Sequence, residues 1–452
     1  MKKKLVVITI IIFIGLFISF WSIVSGGYDR QNKYILMVKK IIHPHIARKV
    51  RDTIFIIPSL KNENQLLSLQ VQKFEQKLNG NLFNEQNLTS TNNLYTANLK
   101  QFFLPFKRLD INLGWQANKN LKRAHYLELI DDKVLIMSGE GETIYFEQKN
   151  LNNKKLNQNK LKNNINSLLK EKNAELYAIR DLYYERNFVY TSIVEKNIEG
   201  FTLNIYRAPK NFNNLSFEIF FKTNEYSPKY SLQTGGRIEK FKDNKILLAI
   251  GFFGKHASAQ DTNNLAGKII SIDKDSRDYD VLSYGHRNPQ GLFYLNRENL
   301  IINSEHGPKG GDEVNLNFLN NNEIKNFGWP ISSYGDPYPG TEKIFEKNGW
   351  LKKSHKENNF IEPLKYFKPS IGISEIIFKS NSSKDKNQIF VSSLRASSIY
   401  VIELDNKLKK VISTDRLYFD TNRIRDLKYD EKSESFLLIF ENTPAIGLLS
   451  IK

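Results

Sequence analysis

The chain has 452 residues, a net charge of +18, 40% hydrophobic residues, 12% aromatic residues and no cysteine. That length suits one large domain with an appendage, or two to three ordinary domains. The apolar and aromatic content is too high for a disordered polymer, and the lack of cysteine excludes disulfides, thiolate metal sites and thiol catalysis.

At the N-terminus, Lys2, Lys3 and Lys4 precede a stretch from Leu5 to Tyr28 without a single charge. At about 1.5 Å per residue a helix of that length reaches roughly 30 Å or more, enough to cross a bilayer core. Residues 1–28 therefore read as a membrane anchor, with Val24-Ser25-Gly26 leaving a cleaved signal as the other possibility. Arg30, Lys33, Lys39 and Lys40 compete with the first three lysines under the positive-inside rule, so charge alone does not orient the span. Residues 29–100 read as a juxtamembrane spacer, in which Leu67, Val71, Phe74 and Leu78 at helical spacing predict one amphipathic helix stopped by Asn79-Gly80. His43-Pro44-His45 is read as ordinary surface.

From residue 101 to 452 the pattern changes to short β-type runs. A charged or Asn-rich turn followed by four to six apolar residues recurs at Asp131-Asp132-Lys133, Glu185-Arg186-Asn187, Asp243-Asn244-Lys245, Asn296 to Asn299, Asp385-Lys386-Asn387 and Asp430-Glu431-Lys432. The starts lie 54, 58, 53, 89 and 45 residues apart, close to the length of a four-stranded blade, with one interval long enough for an insertion. The fold class expected is all-β, a six-bladed β-propeller behind an N-terminal transmembrane helix and short helical spacer; unrelated hairpins in a large β-sandwich are the alternative. Lysine and asparagine are spread over nearly every segment, and the densest basic run, Asn152 to Lys172, has no aromatic residue. It reads as a solvated loop, and no nucleic-acid partner is expected.

The long interval runs from Tyr284-Gly285-His286-Arg287-Asn288-Pro289-Gln290-Gly291-Leu292 through Glu305 to Asn315 and on to Asn326-Phe327-Gly328-Trp329-Pro330. Its glycines and prolines expose carbonyl oxygens and Asp312 and Glu313 add carboxylates, the donor set of a hard cation such as calcium. A solvated Gly/Pro loop fits these residues equally well, and His286 and His306 taken singly read as structural.

Together, YGHRNPQGL, EHGPKGGDEVN and NFGWP, in this order and spacing, resemble the signature of the soluble quinoprotein glucose/sorbosone and aldose sugar dehydrogenases. The similarity extends to Thr234 to Ile238, to Ala259-Gln260-Asp261 and Leu265 to Ile269, and to Asn422 to Asp426, over about residues 110–452. The resemblance implies a propeller that binds pyrroloquinoline quinone (PQQ) and Ca2+ at the mouth of its channel and oxidises sugar hydroxyls. Carried over by motif, Arg287, Asn288, Gln290, Arg423 and Arg425, with Tyr338 and with Arg395 where the family has lysine, would contact the quinone. Gly307 and Pro308 would offer carbonyls to its calcium, and Glu313 with the Phe327 carbonyl would hold a structural calcium. Guanidinium groups suit a cofactor with three carboxylates, because each can pair one bidentately.

The sequence departs from the family where the catalytic histidine stands, four residues before the arginine of GGR; here that residue is Gln233. Phe252 and Phe253 occupy the place of the family's acidic residue, and His256 is a candidate substitute base. The expectation is a PQQ- and calcium-dependent sugar or alcohol dehydrogenase, anchored in a bacterial inner membrane with a periplasmic propeller. A non-catalytic propeller binding PQQ, a sugar or a protein is the alternative. The sequence names no electron acceptor.

Overall fold

A computed structural model describes residues 83–106, 124–153, 156–229, 233–319, 323–381, 386–419, 422–441 and 444–452. The expected span of residues 1–28 and the helix around residues 67–78 lie outside these residues. Among the described residues, no helix is long and apolar enough to cross a membrane.

Six antiparallel sheets follow one another along the chain. From the innermost strand outward, blade 1 is built from His125–Ile130, Lys133–Ser138, Thr143–Glu147 and Asn159–Asn163, and blade 2 from Glu175–Glu185, Phe188–Asn197, Gly200–Pro209 and Glu218–Lys222. Blade 3 comprises Gly235–Phe241, Lys245–Ile250, Lys268–Asp273 and Tyr279–Tyr284, and blade 4 comprises Pro289–Leu295, Leu300–Glu305, Asp312–Phe318 and Lys365–Phe367. Blade 5 uses Ile373–Asn381, Lys386–Ser393, Ser398–Leu404 and Val411–Tyr418. Blade 6 combines Ile424–Asp430, Ser435–Phe440 and Ala445–Ile451 with two N-terminal strands, Thr96–Phe103 and Phe83–Thr89. Thr96–Phe103 thus completes the last sheet and closes the ring, with Phe102 opposite Ile446 and Leu99 opposite Leu449.

Each turn-plus-apolar unit falls on the hairpin between a blade's first and second strands. The turns contain residues with left-handed backbone, among them Asp131, Asn187, Asn299 and Glu434, and Asn and Asp tolerate that conformation best. The second strands are apolar on both faces because they are buried on both: Ile246 to Ile250 of blade 3 are all fully buried. Sequestering each such aliphatic side chain contributes roughly 1.5–3 kcal/mol.

Two boundaries differ from expectation. The propeller begins at Phe83, inside the stretch read as spacer, because Phe83–Thr89 (FNEQNLT) is an exposed outer strand and shows little apolar signal. The run read as a solvated loop contains the outer strand of blade 1 and a helix, Ile165–Glu171, whose Ile165 and Leu169 pack with Leu161 into the core beside blade 2. The long interval does contain an insertion, running from residue 319 to 364 between the third and fourth strands of blade 4. Its Lys325–Asn326 pairs with the outer strand of blade 3.

The first strands of all six blades meet around Arg237 of blade 3. Its Nη1 lies 2.9 Å from Asp181 of blade 2, 2.8 Å from Glu375 of blade 5 and 2.8 Å from Asp426 of blade 6. Its Nε donates to the Gln290 carbonyl of blade 4 at 2.6 Å, and its guanidinium lies 5.0 Å from the Tyr126 ring centre of blade 1. One buried cation therefore touches every other blade. Replacing it strands three buried carboxylates, and breaking buried ion pairs typically costs about 3–5 kcal/mol. Arg237→Met is expected to lower stability by at least that much in urea titrations at neutral pH, and an unchanged midpoint would contradict the role assigned to Arg237.

Candidate functional site

Because neighbouring strands run antiparallel, the start of each first strand and the end of each second strand share one rim of the ring. Gln233, Arg287, Asn288 and Arg423 lie just before first strands, while Phe252, His306, Arg395 and Glu441 lie just after second strands. The expected site residues thus gather at the rim opposite the six hairpin turns.

Gln290 is the floor of this rim. Its Oε1 accepts from Arg180 Nη2 at 3.3 Å and from Arg425 Nη1 at 3.2 Å, while its Nε2 donates to Asn288 Oδ1 at 3.1 Å. Asn288 Oδ1 also accepts from the Gly235 amide, which ties blade 3 to blade 4. Arg425 and Arg423 share Glu441, at 2.5 and 2.9 Å. Burial works against the charged form of Glu441, but the two guanidinium groups override it and hold its carboxyl down at about 2. Arg425 is buried, whereas the Arg423 side chain is 36% exposed toward the rim.

Beside this floor lies a cavity lined by Arg287, Glu305, Gly307, Glu313, Phe327 and Trp329, with His306, Ser332, Ser333 and His355 completing its wall. Arg287 is buried and donates from Nη1 to the His306 carbonyl at 2.8 Å. Its guanidinium packs 5.1 Å from the Trp329 ring centre and 5.6 Å from that of Phe252. Among the described residues it makes no ion pair, and its buried Nε finds no hydrogen-bond partner. The segment from His306 to Gly311 is folded so tightly that a Cβ on Gly307 would collide with the carbonyl oxygens of Gly310 and Gly311. A buried guanidinium with an unpartnered Nε, beside a crowd of carbonyl oxygens, suits an anionic group and a hard cation bound side by side.

Glu313, expected from the resemblance to hold a structural calcium, has side-chain N–H groups of its neighbours on both oxygens. Its Oε1 faces His355 Nε2 at 3.2 Å and its Oε2 accepts from Asn315 Nδ2 at 3.4 Å. Burial disfavours the charged His355 ring, but the Glu313 carboxylate more than offsets this and raises its pKa. Among the described residues, no three His, Asp or Glu side chains come together as metal ligands.

Gln233 precedes the first strand of blade 3, and its carbonyl accepts from the Phe253 amide at 2.9 Å. His256 opens a short 3-10 turn, His256–Ala259, and is boxed by Phe252 at 5.0 Å, Trp329 at 5.4 Å, Phe345 at 5.0 Å and Trp350 at 5.5 Å. Phe345 and Trp350 come from the blade 4 insertion. Desolvation in this box, with a smaller contribution from Arg287, pushes the imidazole down to about 4. Lys268, itself lowered to about 8 by burial, fixes the turn by donating to the carbonyls of Ser258 and Ala266.

The structure therefore brings Arg287, Gly307, Glu313 and Phe327 to one cavity and Asn288, Gln290 and Arg425 to the adjoining floor. Pro308 packs against Gly335 beside the same loop. Arg395 sits on the rim with an exposed side chain, and Tyr338 is 49% exposed while its hydroxyl bonds to Arg287. Arg180, Trp329, His355 and Glu441 escaped the sequence reading. Trp329 lay within a quoted motif; Arg180 and Glu441 acquire their roles through partners 110 and 16 residues away.

The glucose/sorbosone dehydrogenase profile matches residues 127–446. The chain belongs to the glucose/sorbosone dehydrogenase family. It is 28% identical over 226 residues to the aldose sugar dehydrogenase YliI of Escherichia coli (strain K12), a match covering 46% of this chain and 57% of that protein. The fold is shared with the apo form of the soluble aldose sugar dehydrogenase from Escherichia coli, at TM-score 0.56 and 20% identity over 82% of this chain and 99% of the other. It is shared also with the PQQ-bound aldose sugar dehydrogenase of Streptomyces coelicolor, at TM-score 0.53 and 18% identity over 78% and 98% of the two chains.

The depressed basicity of His256 sets a testable pH signature. Its folded pKa, about 4, lies below the unfolded value of about 6.5, so the unfolded chain takes up the proton first. The stability tied to the neutral ring is complete above about 6.5 and is lost as pH falls toward 4. In proton NMR of the full chain, the His256 ring resonances are expected to titrate well below pH 5, and to move upward in Arg287→Gln; a midpoint near 6.5 would contradict the aromatic enclosure.

Proposed function

We propose that this chain oxidises a hydroxyl of a sugar or related alcohol, using PQQ held at the rim of the propeller. The observation that carries the reading is the gathering of Arg180, Arg287, Arg423 and Arg425 there, with Arg287 making no ion pair among the described residues. A cofactor with three carboxylates answers that excess of donors. Arg287, Arg423 and Arg425 would hold it with Asn288 and Gln290, and the Gly307 and Pro308 carbonyls would hold its calcium. When bound, PQQ supplies the electron acceptor, and its calcium polarises the reactive carbonyl.

This chain's own residues must then remove the hydroxyl proton. Gln233 cannot, because an amide nitrogen has no available lone pair, and loss of a positioned base typically costs about 10²- to 10⁴-fold in rate. His256 is neutral at physiological pH, so its ring can take up a proton, which supports it as the replacement base, although burial and the Arg287 charge weaken it in that role. The uncharged stretch from Leu5 to Tyr28 supports an anchor, with the propeller outside the cytoplasm of a bacterial cell. Protease added to spheroplasts should then digest the propeller while cytoplasmic markers survive. Gln233 also favours a second reading, a propeller that binds the quinone without turning over a sugar.

Isothermal titration separates these readings from error. PQQ with calcium is expected to bind wild type, with affinity at least tenfold lower in Arg287→Gln and Arg423→Ala and reduced by added salt; no heat in wild type would remove the quinone site. With an artificial electron acceptor, Gln233→His should raise aldose oxidation about tenfold or more, within the range for a restored base. His256→Ala should abolish whatever activity wild type has. Bound quinone with no turnover in wild type or Gln233→His would establish the binding protein instead.

A further inference from the structure

We propose that the Glu313 site is closed to metal, with the His355 imidazole standing where the family resemblance places a structural cation. The two strands that carry the site lie in register, Glu305 opposite Glu313 and Asn303 opposite Asn315, so both carboxylates look out from one face of blade 4. All four side chains are buried. The two glutamates would make a cation site if their oxygens were open, but N–H groups already face them.

On Glu313, His355 Nε2 meets Oε1 at 3.2 Å and Asn315 Nδ2 meets Oε2 at 3.4 Å. On Glu305, the Arg287 amide meets Oε2 at 3.1 Å, His286 Nδ1 lies 3.4 Å from the same oxygen, and Asn315 Nδ2 meets Oε1 at 3.2 Å. Where Glu313 is ionised it only accepts, and the 3.2 Å contact then puts the hydrogen on His355 Nε2. Calcium needs six to eight oxygen ligands at about 2.3–2.6 Å, and an imidazole N–H seated on the carboxylate both fills the position and offers no oxygen.

The imidazole is also held in place by its surroundings. It is 2% exposed, faces the Tyr334 ring at 5.5 Å and abuts Gly328, where an added Cβ would lie 2.9 Å from Nδ1. The His355 backbone carbonyl accepts from the amides of Asn358 and Phe360, which fixes the turn of the insertion that carries the ring. The insertion thereby pins itself across the third strand of blade 4 with a side chain, and the seam between blades 3 and 4 needs no metal.

The test is thermal unfolding of the full chain without quinone, in chelator and in millimolar calcium. Wild type is expected to melt at the same temperature in both. His355→Ser, which frees the Glu313 carboxylate and leaves a small oxygen, is expected to gain a calcium-dependent rise of about 3 °C or more. That rise should vanish in His355→Ser combined with Glu313→Gln. A calcium dependence in wild type that survives Glu313→Gln arises away from Glu313 and upholds the proposal, whereas one that Glu313→Gln removes overturns it. Should the variants fail to fold, wild-type crystals soaked in manganese decide the matter: an anomalous peak at coordination distance from Glu313 overturns the proposal, and its absence there with manganese bound elsewhere supports it.

Discussion

Arg237 is the constraint on which the rest depends, because a propeller must close and its first strands meet where space is narrowest. Filling that axis with one guanidinium solves the packing but collects carboxylates from three blades around a single charge. Burial and the neighbouring Asp426 and Asp181 raise the Glu375 carboxyl above its usual range in spite of Arg237, so the axis gathers acids at a cost that the one guanidinium only partly offsets. The same arginine bonds to the Gln290 carbonyl, and the Gln290 side chain is the acceptor shared by Arg180 and Arg425. The rim is therefore fixed to the axis through one residue, and a site of this kind is positioned by the closure of the ring rather than by its loops alone.

How much of this the sequence disclosed follows from where each signal originates. Second strands are covered on both faces by neighbouring blades, so they read as unbroken apolar runs, and the tight turns before them demand Asn, Asp or charged residues; both signals are local. Outer strands such as Asn159–Asn163 and Phe83–Thr89 are half exposed and polar, and composition does not separate them from loops. Closure by Thr96–Phe103 pairs residues more than 300 positions apart, for instance Phe102 with Ile446, which no periodicity reveals.

The site divides along the same line. Arg287, Gly307, Glu313 and Phe327 lie within short motifs, and the fold brings all four to one cavity. The counter-charge Glu441, the extra guanidinium of Arg180 and the imidazole of His355 do not belong to those motifs and acquire meaning only in three dimensions. Glu441 matters most for the electrostatics: it neutralises one of the Arg423–Arg425 pair, so the rim presents less net positive charge than a count of its arginines suggests.

That balance bears on the proton as much as on the cofactor. Two causes hold His256 below its usual basicity, enclosure by aromatic rings and the nearby charge of Arg287. The first is built into the insertion and the Phe252 loop and does not change with ligation. The second does, because an anionic group paired with Arg287 cancels much of its field at the imidazole. On the proposed reading, an anion paired with Arg287 would remove the smaller of the two causes and move His256 upward, while the aromatic enclosure would still hold it below its usual basicity. An acidic residue in place of Phe252 would raise it permanently. With phenylalanine there, the basicity of His256 would depend in part on whether the arginine beside it had found an anion.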